Sequence, residues 1–480
     1  MENIIVVCYN RQMLSGNINL SISIMEIGMQ IIIVGCGKVG STIAEQLSAE
    51  GHDIVIVDTD ESVVKALATR LDIMGLTGNG ATHTILVEAG VEDADLLIAV
   101  TESDELNLLC CMVGKKAGAE HTIARVRNPE YSQDIGFMKK ELGLAMTINP
   151  EYAASTEMAR LLRFPSAIEI DTFGRGRVEL LEYKILDDNI LVGKSLIDVG
   201  RNIKSDVLIC AVEREDEVII PNGSFVLQSG DIVSIVASTE NAKDFFKKVG
   251  CSSSGVRDTM IVGGGTIAYY LAKQLLPLGI KVKIIEKSYE RCEELSAMLP
   301  KAVIIHGDAA DKDVLLEEGI ENCSSFVSLT GIDEENAFLS LYAKSVSNAK
   351  IVTKINRIAF DEIIEKFDLG SMIYPKHITA EYIVRYVRGL QNSVGSNNVE
   401  ALYKIIHGKA EALEFYIKED SEMTGATLEA LPIKEGVLLA CIIRNGKVMI
   451  PNGKSTLQKN DSVIIITRIT GMQNLEDILK

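Results

Sequence analysis

Short, uninterrupted apolar runs recur along the chain, and each gives way to a stretch with helical periodicity. Ile31–Val34 leads into a glycine turn and then a helix over Lys38–Glu50 that Gly51 stops. Asp53–Val57 follows and ends at Asp58, then a helix over Ser62–Arg70 and a short strand running into Thr77-Gly78-Asn79-Gly80. Thr84–Ala89 predicts a helix, Leu96–Val100 a strand ending at Thr101-Glu102-Ser103-Asp104, and Glu105–Lys116 another helix. Thr122–Val126 is the next strand; it carries Arg125 and counts as the fourth parallel strand. Strands that are apolar throughout, rather than at alternate residues, suit a sheet buried on both faces. Strand–helix alternation then implies parallel pairing with right-handed crossovers, a doubly wound α/β domain.

After Asn149-Pro150 the spacing predicts a connecting or pairing helix over Tyr152–Arg163, ended before Pro165. From Ala167 the pattern changes to strands, Val178–Ile185, Val207–Arg214, Val218–Pro221 and Ile232–Ala237, separated by Gly/Asn/Asp turns, which reads as a small α+β module. Cys251-Ser252-Ser253-Ser254-Gly255 has linker composition. Beyond it the order begins again. Ile31-Ile32-Ile33-Val34-Gly35-Cys36-Gly37-Lys38-Val39-Gly40 is matched about 229 residues later by Met260-Ile261-Val262-Gly263-Gly264-Gly265-Thr266-Ile267-Ala268. Gly78-Asn79-Gly80-Ala81 matches Gly307-Asp308-Ala309-Ala310, Asn107 matches Asn336, and Asn149-Pro150 matches Tyr374-Pro375. In the small modules Ile220-Pro221-Asn222-Gly223 matches Ile450-Pro451-Asn452-Gly453. The chain is a tandem duplication, expected to fold as two Rossmann-like parallel-sheet domains, each followed by a small α+β domain. The expected bounds are 29–150, a connecting helix over 151–166, 167–250, a linker over 251–257, 258–374, a connecting helix over 375–397, and 398–480. Residues 1–28 lie outside the repeat and lack a basic n-region and a cleavage signal; they read as a disordered extension or a mis-called start, with Met29 as the alternative first residue.

The glycine turn sits where phosphate binding needs it. Gly35 permits the tight turn, Gly37 lets backbone approach a pyrophosphate, and Gly40 lets the helix pack on the sheet. The helix N-terminus offers N–H groups and positive dipole to phosphate. Asp58 closes the second strand, positioned to accept from ribose hydroxyls; with no arginine behind it, NAD(H) or an adenine nucleotide is expected rather than NADP. In the second copy Gly263, Gly265 and Glu286 keep these roles, while Ala268 replaces the third glycine. Arg125 ends its strand near the mouth where ligand phosphate would lie; no arginine stands in register with it in Val352-Thr353-Lys354-Ile355-Asn356-Arg357, which makes the halves unequal. Asp104, Glu105, Asp333, Glu334 and Glu335 read as solvated acids at helix starts.

Composition narrows the rest. A net charge of −19 argues against nucleic acid and against a basic membrane-binding face. Apolar residues make up 47% of the chain, yet no run reaches the length of a membrane span. Nine cysteines without a C-x-x-C pair suit a reducing compartment, with Cys110 and Cys111 read as helix-buried thiols. Six scattered histidines give no metal motif. No catalytic residue is assigned: His83 faces Lys312 at its twin position and His407 has no counterpart, so no acid–base group is duplicated. An NAD-dependent oxidoreductase with one active half stays as the alternative.

Several of these motifs, in order and twice over, carry a resemblance: Met29 to Gly40, Val55-Ile56-Val57-Asp58-Thr59-Asp60, Ala94 to Thr101 with Asp104-Glu105 and Asn107, and Ile123-Ala124-Arg125-Val126-Arg127. Over about residues 29–480 the chain resembles the regulator-of-potassium-conductance family (RCK, or KTN). That resemblance implies two RCK-N and two RCK-C domains and a non-enzymatic gate, binding NAD (NAD+/NADH) or ATP/ADP, assembled as a homo-oligomer, a dimer or tetrameric ring, on the cytoplasmic face of a multi-span potassium-translocating membrane subunit of the TrkH or TrkG type. Regulation of a different cation channel or antiporter is the second alternative. By motif, the implied nucleotide contacts are Gly35, Cys36, Gly37, Lys38, Val39, Asp58, Thr101, Glu102 and Arg125, and in the second copy Gly263, Gly264, Gly265, Thr266, Ile267, Glu286, Asp308, Ala309 and Thr330. No metal ligand is implied.

Overall fold

The computed structural model describes residues 28–480 apart from 130, 165, 175, 216, 251–255, 357–366, 368, 395–398, 407–408, 470–471 and 473. Residues 1–27 of the expected extension over 1–28, the serine-rich linker, His407 and Arg357 lie outside the described residues.

The first sheet gathers β1 (Gln30–Val34), β2 (Asp53–Asp58), β3 (Met74–Thr77), β4 (Leu96–Ala99), β5 (His121–Arg125) and β6 (Met146–Ile148) in the order β3-β2-β1-β4-β5-β6. All its pairings are parallel. The crossovers are α1 (Lys38–Ala49), α2 (Glu61–Leu71), α3 (His83–Glu88), α4 (Asp104–Ala117) and α5 (Tyr131–Leu142). Ile31, Ile33, Leu96, Leu97 and Ile98 are fully buried, as strands covered on both faces should be. Each such side chain contributes about 1.5–3 kcal/mol over leaving it in water. The strand order reverses between β1 and β4, and the glycine turn leaves β1 at that switch point. Arg125 ends the fifth strand of the chain, not the fourth. The α5–β6 pair, a polar helix followed by a strand of only three residues, was not expected from the pattern.

Helix α6 (Pro150–Arg163) leads to an antiparallel sheet of β7 (Ile170–Phe173), β8 (Val178–Lys184), β9 (Val207–Arg214), β10 (Glu217–Ile219) and β11 (Ile232–Ser238), order β10-β9-β11-β8-β7, with helices α7 (Leu196–Ile203) and α8 (Thr239–Lys248). The second half repeats the plan. Its parallel sheet is β12 (Asp258–Val262), β13 (Lys281–Glu286), β14 (Val303–His306), β15 (Ser325–Ser328), β16 (Lys350–Lys354) and β17 (Ser371–Ile373), order β14-β13-β12-β15-β16-β17. Helices α9 (Thr266–Leu275), α10 (Tyr289–Met298), α11 (Lys312–Glu317) and α12 (Asp333–Val346) cover it, and α13 (Pro375–Val394) leads out. The last sheet is β18 (Val399–Ile405), β19 (Ala410–Tyr416), β20 (Val437–Arg444), β21 (Lys447–Met449) and β22 (Ser462–Thr467), order β18-β19-β22-β20-β21.

The halves exchange their connecting helices. Ala154, Met158, Leu161 and Leu162 of α6 share a core with Ala268, Leu271, Ala272 and Leu275 of α9. Reciprocally, Ala380, Ile383, Val384 and Val387 of α13 share one with Ile43, Ala44 and Leu47 of α1. The antiparallel sheets join as well: Phe173, Val178 and Leu180 pack with Tyr403, Ala412 and Ile443, and the Glu414 carboxylate accepts from the Gly174 N–H at 3.0 Å. Each parallel-sheet domain is thus completed by a helix from the opposite half. Among the described residues no helix is long and apolar enough to cross a membrane.

Where α6, α13 and the antiparallel sheets meet, Glu157, Arg160, Glu169, Asp171, Glu381, Arg385 and Tyr403 line a cavity of about 330 Å³. Burial and the neighbouring Glu182, Glu381 and Glu157 push the Glu169 carboxyl up to about 8, and burial with Glu169, Glu381 and Glu157 raises Asp171, with Arg385 opposing. A carboxyl raised on folding binds more protons folded than unfolded, so its stabilising share is present below the ordinary carboxylate range and is lost as pH rises through about 8. The melting temperature is expected to fall between pH 5 and pH 8, and Glu169→Gln to flatten that slope; an unchanged slope in scanning calorimetry would refute the assignment.

Candidate nucleotide site

The apolar run of β1 ends at Gly35, whose φ of +100° is a conformation side chains rarely adopt. Its amide donates to Val57 O at 2.8 Å, tying the turn to β2. Helix α1 begins at Gly37, which caps it without a side chain, and the first turn holds no acid. Helix α9 begins identically at Gly265. By contrast, Asp60, Ser103 and Asn149 close the N-termini of α2, α4 and α6 with side-chain acceptors. The two glycine-turn helices therefore keep their leading N–H groups and positive dipole ends for an anion.

Behind each turn stands its acid. Asp58 accepts from the Cys36 N–H at 2.6 Å and the Asp60 N–H at 3.0 Å. Glu286 accepts from the Gly264 and Ser288 N–H groups, both at 2.7 Å. Each carboxylate fixes the turn and retains lone pairs for hydroxyl donors. Burial, reinforced by Asp58, pushes the Cys36 thiol up to about 12, so it is protonated at neutral pH. The second turn differs in one neighbour: Arg291 donates to Gly264 O at 2.8 Å, where the first half has Val63.

Both turns open on one cleft of about 1140 Å³ between the halves. Gly35, Cys36, Gly37, Lys38, Val39, Asp58, Thr101, Glu102 and Arg125 all line it, as do Gly265, Thr266 and Ile267. Gly263, Gly264, Glu286, Asp308, Ala309 and Thr330 stand outside its lining. Of these, Asp308 is paired with Lys287 at 2.6 Å, Ala309 is buried, and the Thr330 N–H donates to Asn336 at 2.8 Å.

Sequence reasoning passed over several residues here. Arg125 pairs across from Ile148, and Lys354 from Ile373 at the same place in the second sheet. Lys354 is therefore the structural twin of Arg125, and the cation is kept as an ammonium; the inequality read from the missing arginine is one of geometry, not of charge. Burial lowers the Lys354 ammonium below its ordinary value, against the pull of Asp333 and Glu151. Glu151, at the start of α6, lies 3.6 Å from Arg125. Asp104, read as solvated, is buried, because it accepts from the Arg127 and Asn128 N–H groups at 2.7 and 2.8 Å and ties α4 to the chain after β5. Asn107 is fully buried: Oδ1 accepts from the Thr101 N–H and hydroxyl, both at 2.7 Å, and Nδ2 donates to Thr101 O at 3.2 Å and Arg125 O at 3.0 Å. The duplicated asparagine was the available signal. Among the described residues no group of three or more His, Cys, Asp or Glu side chains is placed to hold a metal ion.

Fold and cleft together define a tandem Rossmann-like protein whose two glycine-capped helix N-termini share one opening. The TrkA-N domain model matches residues 31–150 and 259–375, and the TrkA-C domain model residues 180–250 and 412–480. The Trk system potassium uptake protein TrkA homolog of Archaeoglobus fulgidus is 32% identical over 452 residues, covering 94% of this chain and 100% of that protein. The Trk system potassium uptake protein TrkA of Halomonas elongata is 33% identical over 443 residues, 91% of this chain and 95% of its own length. The chain belongs to the TrkA family. Among solved structures the GsuK channel shares the fold, with a TM-score of 0.62 at 16% identity over 92% of this chain and 77% of the other.

Proposed function

We propose that the chain is the nucleotide-sensing regulatory subunit of a Trk-type potassium uptake system. It binds NAD(H), ATP or ADP at the first glycine turn without turning it over, and gates a multi-span potassium-translocating subunit of the TrkH or TrkG type from the cytoplasmic face of the membrane. The observation that carries this is the pair of open helix N-termini at Gly37 and Gly265 on one cleft between two halves, with Asp58 lining it behind the first. A ligand there shifts the equilibrium between two arrangements by its differential affinity for them. In this reading residues 29–150 and 258–374 are the sensing domains, and 167–250 and 398–480 the small domains that accompany them. Twin helices α4 and α12 expose Leu109, Met112 and Phe338, the last 73% exposed, an apolar surface that suits assembly into a homo-oligomeric ring.

Asp58→Ala removes the acceptor behind the first turn and the latch on Cys36. Calorimetry is expected to show nucleotide affinity reduced about tenfold or more, the scale of a lost charge-assisted hydrogen bond or two. Unaltered affinity for both NAD(H) and ATP would overturn the site, and steady consumption of NADH would overturn the sensing role.

A further inference from the structure

The exchanged helices do not bring the same charge to the two turns. Helix α13 packs along α1, with Arg388 bonded to Glu50 at one end and Pro375 and Lys376 at the cleft at the other. Helix α6 packs along α9, with Ser155 accepting from Gln274 at 2.8 Å and the Asn149 amide donating to the Tyr270 hydroxyl at 3.1 Å; its Pro150 and Glu151 reach the same cleft. Position for position, Pro150-Glu151 corresponds to Pro375-Lys376. So the first turn carries Lys38 and receives the Lys376 ammonium from the opposite half, while its strand-end Arg125 is paired with Glu151 at 3.6 Å. The second turn has Thr266 in place of Lys38, and its strand-end cation, Lys354, shares the cleft with the Glu151 carboxylate, so the first turn keeps the larger positive charge.

We propose that Lys376 is a phosphate-binding residue of the first site supplied by the opposite half, and that Glu151 excludes the phosphate-rich part of a nucleotide from the second, so that one nucleotide binds per chain with its phosphates held between the halves. A ligand gripped from both sides is a direct mechanical link between occupancy and the relative placement of the halves, which is what a gate requires. Close charge pairs across an interface strengthen binding, and like charges oppose it. The proposal rests on the nucleotide-sensing reading above and names how its site is completed.

The experiment is calorimetric titration of the full chain with ATP, ADP, AMP and adenosine. The wild type is expected to bind one ATP per chain. Lys376→Ala is expected to weaken ATP about tenfold, on the scale of one lost ion pair, ADP less and adenosine not at all, with Lys376→Arg restoring ATP binding. Glu151→Lys is expected to raise the stoichiometry to two. The proposal is overturned if the wild type binds two equivalent ATP molecules, if Lys376→Ala leaves ATP unchanged or weakens all four ligands alike, or if Glu151→Lys stays at one. A wild type that retains no nucleotide at all sinks the sensing reading itself. Loss of binding in Asp58→Ala beside an indifferent Lys376→Ala sinks only this inference.

Discussion

Gly40→Val is expected to abolish nucleotide retention at the first turn and to lower the stability of the chain by about 3 kcal/mol, the upper range for forcing bulk into a packed site. The cause is local. A Cβ on Gly40 would lie 1.8 Å from Gly35 O and 3.3 Å from Val100 Cγ2. The oxygen belongs to the turn itself, so relief has to come from moving backbone. Gly35 cannot yield easily: a Cβ placed on it would lie 2.8 Å from the Thr101 amide nitrogen, which shows how tightly the chain after β4 is pressed against the turn. The strain therefore moves the N-terminus of α1, whose N–H groups are the proposed phosphate ligands. The twin position is the control. Ala268 is fully buried in the second half, so that turn already holds a methyl group where the first cannot. Ala268→Gly is expected to cost only about 1 kcal/mol, from helix propensity and a lost buried methyl. Urea unfolding with nucleotide titration on both variants checks the pair; a Gly40→Val chain no less stable than Ala268→Gly would show that the first turn can accept the added bulk.

The comparison of these two positions shows what a duplicated sequence discloses and what it hides. The alternation of apolar runs and helical stretches was enough for β1 to β5 of the first sheet, and the repeat carried that plan to the second, because central strands buried on two faces leave a strong apolar signal; β6 was missed. The glycine turns and the acids Asp58 and Glu286 were legible because their spacing is fixed by the strand–turn–helix geometry. Lys354 was not recognised as the twin of Arg125, since side-chain identity was compared where strand register decides the match. Asp104 was misjudged for a related reason: an acid in the first turn of a helix is most often solvated, and nothing in the local pattern says that the chain after β5 folds back to donate two N–H groups to it. The exchange of α6 and α13 lay deeper still. Their apolar faces were visible in the sequence, but a helix that follows its own domain and one that crosses to the other bury the same face. Only the tertiary packing places Glu151 and Lys376 opposite the turns of the other half.

Asn107→Asp is expected to be among the most damaging isosteric changes in the molecule, lowering stability by about 3 kcal/mol and weakening nucleotide binding at the first turn. The side chain is fully buried and uses both its oxygen and its nitrogen, joining Thr101, just after β4, to the end of β5 at Arg125. Aspartate keeps the acceptor for the Thr101 N–H. It replaces the amide donor with an oxygen facing two carbonyls, and each buried acceptor left without its donor costs about 1–3 kcal/mol. Arg125 then loses the anchor that holds its strand end at the cleft, so the binding defect follows from position rather than from contact with ligand. Asn336 makes the corresponding bonds to Thr330 and Lys354, and Asn336→Asp is expected to lose similar stability. Its effect on nucleotide affinity separates two possibilities: a small loss places the ligand at the first turn, and a loss as large as that of Asn107→Asp means that the second turn, through Lys354, holds the ligand as strongly. Chemical denaturation supplies the first number and calorimetry the second, and an Asn107→Asp chain as stable as the wild type would show that the strand ends are held by something other than this amide.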